Sequence, residues 1–225
     1  MKTLFYILSL LILSCDSSGD LKINNLLQEC TSINDSIQYS GSPYNCGDLF
    51  FLNDFSNYNE SFSASNLIEI GIQTWSSSGR LLDLILYNET SYQVDYIPES
   101  ISNLNALLVL DLSGDIQNYG DLNYINNEIG DLTNLKELYL NYNQLMSIPE
   151  SIGDLSNLEV LWINNNMLAS IPNNLCNLNL TCEVKIENNL LCNEFNYTCF
   201  ENFSDFSWDW QNQEDCCNEL NGECP

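Results

Sequence analysis

The pattern L-x-x-L-x-L-x-x-N-x-L recurs along the middle of this chain and leaves few folds open to it. One copy runs Leu135, Leu138, Leu140, Asn143 and Leu145 and continues into "SIPESIGDLSN". The next runs Leu158, Leu161, Ile163, Asn166 and Leu168 and continues into "SIPNNLCNLNL", 23 residues further on. Another step of 23 from Leu158 reaches Thr181, where "TCEVKIENNLLC" supplies Val184, Ile186, Asn189 and Leu191. Backwards, Leu107, Leu110, Leu112 and Asp115 stand 28 before the Leu135 set, and Leu81, Leu84, Leu86 and Glu89 stand 26 before those, so the two earlier units carry inserts. Five successive registers of fixed aliphatic spacing mark a repeat architecture. One such unit cannot bury its own apolar face. Stacked neighbours can, so stability becomes a sum over adjacent units and both open ends need covering. The ninth-position Asn can hydrogen-bond backbone groups of neighbouring turns that a bend would otherwise orphan.

These registers resemble the leucine-rich repeat family over roughly residues 81 to 192, and "IPESIGDLSNL" is similar to the repeats of plant receptor-type and related bacterial surface proteins. "GIQTWSSSGRLLDLIL" resembles the segment in which a capping region of such bacterial proteins feeds the first strand, and "ENNLLCNEFNYTC" resembles their closing segment. The resemblance implies an α/β leucine-rich-repeat solenoid, a right-handed superhelix with a concave parallel β-sheet, of about five repeats with disulfide-stapled caps. Residues 16 to 80 form the N-terminal cap, with helix expected in "GDLKINNLLQEC" and "CGDLFFLNDFSNYN". Residues 193 to 225 form a Cys-rich tail without repeat spacing, either a cap on the last repeat or a separate binding element.

The cysteines cluster where a stack would be open. Apart from Cys15, two lie before residue 50, seven after 175, and none between Cys46 and Cys176. Cys30 with Cys46 is the candidate clamp of the N-terminal cap, and Cys192 with Cys199 the candidate closure at the other end, each stabilising by about 2 to 4 kcal/mol. The pairing of Cys176, Cys182, Cys216, Cys217 and Cys224 stays open, and nine cysteines beyond Cys15 leave at least one without an internal partner. Disulfides suit an exported chain. Residues 1 to 15, "MKTLFYILSLLILSC", read as an export signal, because the apolar run from Leu4 to Leu13 is too short to span a bilayer core. "LILSC" resembles the lipobox of bacterial lipoproteins, which implies a lipid on Cys15 and an extracytoplasmic, membrane-anchored or secreted protein. "DSSGD" then reads as a flexible tether. The N-x-S/T sequons at Asn59, Asn88, Asn179, Asn196 and Asn202 are expected of so Asn- and Ser-rich a chain.

Period-2 alternation sets the outward face of the predicted sheet. Its first column reads Asp83, Val109, Glu137, Val160 and Glu183, its second Ile85, Asp111, Tyr139, Trp162 and Lys185, and its third Tyr87, Ser113, Asn141, Asn164 and Glu187. Trp162 is thereby turned outward with Tyr139 beside it, and Tyr142 lies just beyond on the same rim. Large aromatic residues with a polar tip are what binding hot spots favour, and neighbouring carboxylates can orient a partner. The candidate ligand-binding residues are therefore Tyr139, Trp162, Tyr142, Asp111, Glu137, Tyr87 and Asn164. The competing reading has Trp162 packed flat on Tyr139 merely to cover a thin sheet.

Composition narrows the function classes. With 31 acidic and 5 basic residues the chain carries a formal charge of −26, which opposes binding to nucleic acid, anionic membrane surfaces and copies of itself. No His is present, which removes His-based catalytic triads and His-ligated metals. Carboxylate pairs such as Asp111 and Glu137 carry no specificity in so acidic a chain. The insert around Asp115, Asn118, Asp121 and Asn123 lacks EF-hand spacing and reads as a solvated loop rather than a Ca²⁺ site. The expectation is a monomeric, non-catalytic, cofactor-free protein that binds a protein or glycan through its concave face. The alternative is a surface or adhesion component in which the repeats act as a spacer.

Overall fold

The computed structural model describes residues 27–39, 41–59, 67–86, 94–191 and 205–207, the last as backbone alone. The chain opens with a hairpin of β1 (Ser36–Tyr39) and β2 (Ser42–Asn45), followed by helix α1 (Cys46–Tyr58). Asn45 starts that helix by accepting from the amides of Gly47 and Asp48 at 2.9 and 3.3 Å, two donors with no partner inside the helix. The buried face of α1 carries Leu49, Phe51, Leu52 and Phe55, which join the apolar core of the repeats, the helix lying against the turn at Glu99–Asn103. Cys30 and Cys46 form the expected disulfide, tying the segment before the hairpin to the first turn of α1. Of the helix expected in residues 19–30, only a 3-10 turn at 27–29 falls among the described residues.

A second hairpin joins the cap to the repeats. β3 (Ile72–Trp75) pairs antiparallel with β4 (Leu81–Ile85) around a turn that places Gly79 at φ +79°. A side chain there would collide with the Pro43 carbonyl of β2, so conformation and packing both call for glycine. From β4 the sheet continues in parallel through β5 (Val109–Asp111), β6 (Glu137–Tyr139), β7 (Val160–Trp162), β8 (Glu183–Lys185) and β9 (Asp205–Ser207). The register is the one the repeats predict, with Leu84, Leu110, Leu138, Leu161 and Val184 facing one another along the inner row. Among the described residues the parallel strands number six rather than five, because β9 from the tail pairs with β8. Its segment has no leucine spacing and gave no sign of a strand in the sequence.

The "IPESIGDL" half of each repeat returns along the opposite side as a 3-10 turn, at Glu99–Asn103, Asn127–Asp131, Glu150–Asp154 and Asn173–Asn177. Proline before three of these turns and Ile or Leu inside all four explain them, since Pro is tolerated where no amide donor is needed and the aliphatic residue is buried. Gly130 and Gly153 let neighbouring turns approach closely, for a Cβ on either would overlap Ser151 or Asn174. The cores of cap and repeats form one continuous apolar column from Ile37 to Ile186.

The ninth-position asparagines do what their position suggests. Asn166 Nδ2 donates to the carbonyls of Leu140 and Ile163, and its Oδ1 accepts from the Leu145 amide, so one side chain ties two turns together. Asn189 repeats this one unit on, with the Ile163 and Ile186 carbonyls and the Leu168 amide. Asn59 at the end of α1 is similarly consumed. It donates to Phe55 and Tyr96 carbonyls and accepts from the Asp95 and Tyr96 amides while fully buried, so in the folded chain this sequon is a structural residue.

Candidate functional site

Each outward residue of the concave sheet is placed by a neighbouring leucine that points the other way. Asp83, Val109, Glu137, Val160 and Glu183 are in register, and so are Ile85, Asp111, Tyr139, Trp162 and Lys185. The antiparallel β3 extends the same face with Thr74 opposite Asp83 and Ile72 opposite Ile85. Read across the strands, the middle column runs from aliphatic Ile72 and Ile85 through acidic Asp111 to Tyr139, Trp162 and cationic Lys185.

Trp162 does face outward, and it is held on several sides. The Tyr139 and Trp162 rings meet edge-to-face, with centroids 5.0 Å apart and planes at 89°, a geometry favoured by the charge distribution of aromatic rings. The indole Nε1 donates to Glu183 Oε1 at 3.0 Å. The Lys185 ammonium lies 3.6 Å from the centre of the indole ring and 3.0 Å from the same Glu183 oxygen. Trp162 is left half-buried. Sequence put Lys185 next to Trp162 in the column; the stacking of its ammonium on the ring depends on a rotamer that no sequence pattern displays.

Tyr139 donates its hydroxyl to Glu137 Oε2 at 2.8 Å. Burial, that hydrogen bond and the surrounding carboxylates raise its phenol well above the usual tyrosine range, so it stays a neutral donor. Asp111 is half-buried and accepts from the Ser113 amide and hydroxyl. Burial raises the Asp111 carboxyl above the ordinary aspartate value, and the Ser113 hydrogen bonds only partly offset this. No ion pair among the described residues reaches it.

The third column departs from the flat picture. Asn164 is only 8% exposed and Asn141 6%, and the Oδ1 atom of each is buried without a hydrogen-bond partner, so Asn164 offers a ligand little surface. The reason is local: the chain bends immediately after it, with Tyr142, Asn165 and Asn188 all at φ of 56 or 57° in equivalent positions. Tyr142 points to the insert and meets Tyr119 edge-to-face at 5.5 Å, rather than joining the Tyr139–Trp162 pair. In that insert Asp115 is engaged by its own loop, accepting from the amides of Gln117 and Asn118. Among the described residues no group of three or more acidic or thiol side chains could hold a metal ion. Tyr87, Cys15, Cys192 and Cys199 lie outside the described residues. Cys176 is disulfide-bonded, and Cys182 is a buried free thiol.

Comparison with known proteins bears on the repeat fold. Residues 133–177 match the family described as Leucine Rich repeats (2 copies). No curated protein matches the chain. Among solved structures, the leucine-rich-repeat ectodomain of the receptor kinase SOBIR1 from Arabidopsis thaliana matches with a TM-score of 0.52 and 21% identity, over 72% of this chain and 92% of that one. That likeness is one of fold. A leucine-rich-repeat protein of Leptospira interrogans matches at a TM-score of 0.47 and 24% identity, over 65% of this chain, which spans 37% of its length. The BIR3–SERK2 complex from Arabidopsis thaliana matches at 0.48 and 26%, over 64% of this chain and 81% of that one.

Proposed function

From a leucine-rich-repeat fold as premise, we propose that this chain is a non-catalytic, exported binding protein that captures a protein partner on its concave sheet. The observation that carries the reading is the Tyr139–Trp162 pair, two large aromatic side chains facing outward at the middle of a sheet and fixed there by Glu137 and Glu183. Fixed aromatic side chains bind with little further loss of conformational freedom, which is why they dominate interface energetics. Ile72, exposed on the flanking strand opposite Ile85, extends apolar surface along the same column.

We place the protein outside the cytoplasm, tethered through a lipid on Cys15; the apolar run and the "LILSC" motif support this. Mass spectrometry of the mature N-terminus checks it, with a diacylated Cys15 as the expected first residue and a cut elsewhere as the contrary result. The binding reading is checked with a screen of surface proteins and glycans against the full chain and its Tyr139→Ala/Trp162→Ala variant. The variant is expected to keep its circular dichroism and melting temperature while losing its protein partner. A glycan captured through the same residues would change the ligand class. Unchanged capture of every partner would make the repeats a spacer instead.

A further inference from the structure

Lys185 has a place that a ligand's cation could take. Its ammonium stacks on the Trp162 ring at 3.6 Å and pairs with Glu183 at 3.0 Å, while the same Glu183 oxygen also receives the indole N–H. An aromatic face backed by a carboxylate is a cation seat, and here a side chain of the chain itself fills it. Around that seat the charge is one-sided. The first and middle columns of the concave sheet hold Asp83, Asp111, Glu137 and Glu183 against Lys185 alone, and Lys185 is neutralised by its own partner. Asp111, half-buried and with no ion pair among the described residues, is a carboxylate short of a positive neighbour.

Resting on the concave-face reading above, we propose that the partner is a basic protein segment, and that one of its arginines displaces Lys185 from the Trp162–Glu183 seat. The exchange favours arginine for physical reasons. A guanidinium is planar and more weakly hydrated than an ammonium, stacks on an indole and offers a fork of donors to a carboxylate. The displaced Lys185 returns easily to water, since its side chain is already 31% exposed and sits on a flexible stem. Neighbouring arginines or lysines of the segment then lie over Asp111 and Glu137. Lys185 is accordingly an intramolecular competitor that weakens binding and rejects partners unable to outbid its ammonium.

The test uses the full chain and hexa-arginine as probe, by calorimetry at 150 mM NaCl, where long-range attraction to the acidic surface is largely screened. Lys185→Met, which keeps the apolar stem and removes the competing charge, is expected to bind hexa-arginine 3- to 10-fold more tightly. Trp162→Ala is expected to bind it at least 10-fold more weakly, and Trp162→Phe, which keeps a stacking face, to fall between. Unspecific attraction to a polyanion predicts no loss in Trp162→Ala and overturns the proposal, as does unchanged or weaker binding by Lys185→Met. Cellohexaose separates the two levels of the reading. If it binds in a Trp162-dependent way and hexa-arginine does not, the concave face stands and the cationic partner falls. If neither ligand depends on Trp162, the concave-face reading falls with it.

Discussion

Asp111 shows how one side chain on the binding face influences the whole fold. Its carboxyl is raised above the ordinary value by burial, against the pull of Ser113. A carboxyl whose folded value lies above its unfolded one contributes stability that is fully present at low pH and lost as pH rises through the folded value. At pH 7 the charged Asp111 is therefore a liability. Asp111→Asn retains an oxygen to accept from the Ser113 amide and hydroxyl, so it should raise the melting temperature by about 1 to 3 °C at pH 7 and leave it unchanged near pH 3. Thermal denaturation at the two pH values checks this, and a shift of equal size at both would contradict it. Cys182 is the opposite kind of residue, one with reactive chemistry held silent. Burial, with Glu183 and Glu159 adding to it, pushes its thiol up to about 12, and the thiolate is the reactive form. Iodoacetamide at pH 8 should leave Cys182 unmodified in the folded chain and alkylate it after denaturation, as read by peptide mass mapping. Labelling of Cys182 in the folded chain would show that the sulfur reaches solvent.

At the scale of the repeat, two asparagines in the same position are not equivalent. Asn166 uses both ends of its amide, on Leu140, Ile163 and Leu145. Asn143 donates to the Leu112 and Leu140 carbonyls, but its Oδ1 is buried without a partner. The cause is the insert, which brings Gly120 so close to this oxygen that a Cβ there would overlap it. Removing Asn166 strands the Leu145 amide, at about 1 to 3 kcal/mol, and takes one of two donors from the Leu140 and Ile163 carbonyls, which keep Asn143 and Asn189, at about 0.5 kcal/mol each. Asn166→Ala should therefore destabilise by about 2 to 4 kcal/mol and Asn143→Ala by about 1 kcal/mol less, measured by urea denaturation; equal losses would mean the insert is without consequence. The pattern of legibility follows from the same physics. The strand register and the first two outward columns were readable because the inward leucines recur at a fixed period and the side-chain alternation is strict. Burial of Asn164 and the turning of Tyr142 toward Tyr119 were not, because both come from the bend after the strand, where alternation ends. β9 was unreadable for a different reason: its pairing with β8 uses backbone groups, and those leave no mark in side-chain spacing.

For the molecule as a whole, the scarce cations are spent on holding parts together. Among the described residues the basic side chains are Arg80, Lys136 and Lys185, and each is in an ion pair. Arg80 has the widest reach. Its Nε and Nη2 grip both oxygens of Asp48 in α1 at 2.9 and 2.8 Å, Nη2 also donates to the Asn103 carbonyl, and Nη1 donates to Asn105 Oδ1. One guanidinium thus joins the cap helix to the first strand and to the first convex turn, while Asp48 also accepts from the Leu81 amide. Burial pushes the Asp48 carboxyl upward, and Arg80 and that amide pull against it. Such a pair is costly to break from one side, because the remaining charge is stranded in the interior at about 3 to 5 kcal/mol. Arg80→Met should destabilise by that amount in urea denaturation. Asp48→Asn introduced into Arg80→Met should then restore part of the loss, since a neutral amide can still accept from Leu81 and no charge is left buried. Losses that simply add in the double variant would show that the two side chains act independently, and that the cap is joined to the stack by apolar packing alone.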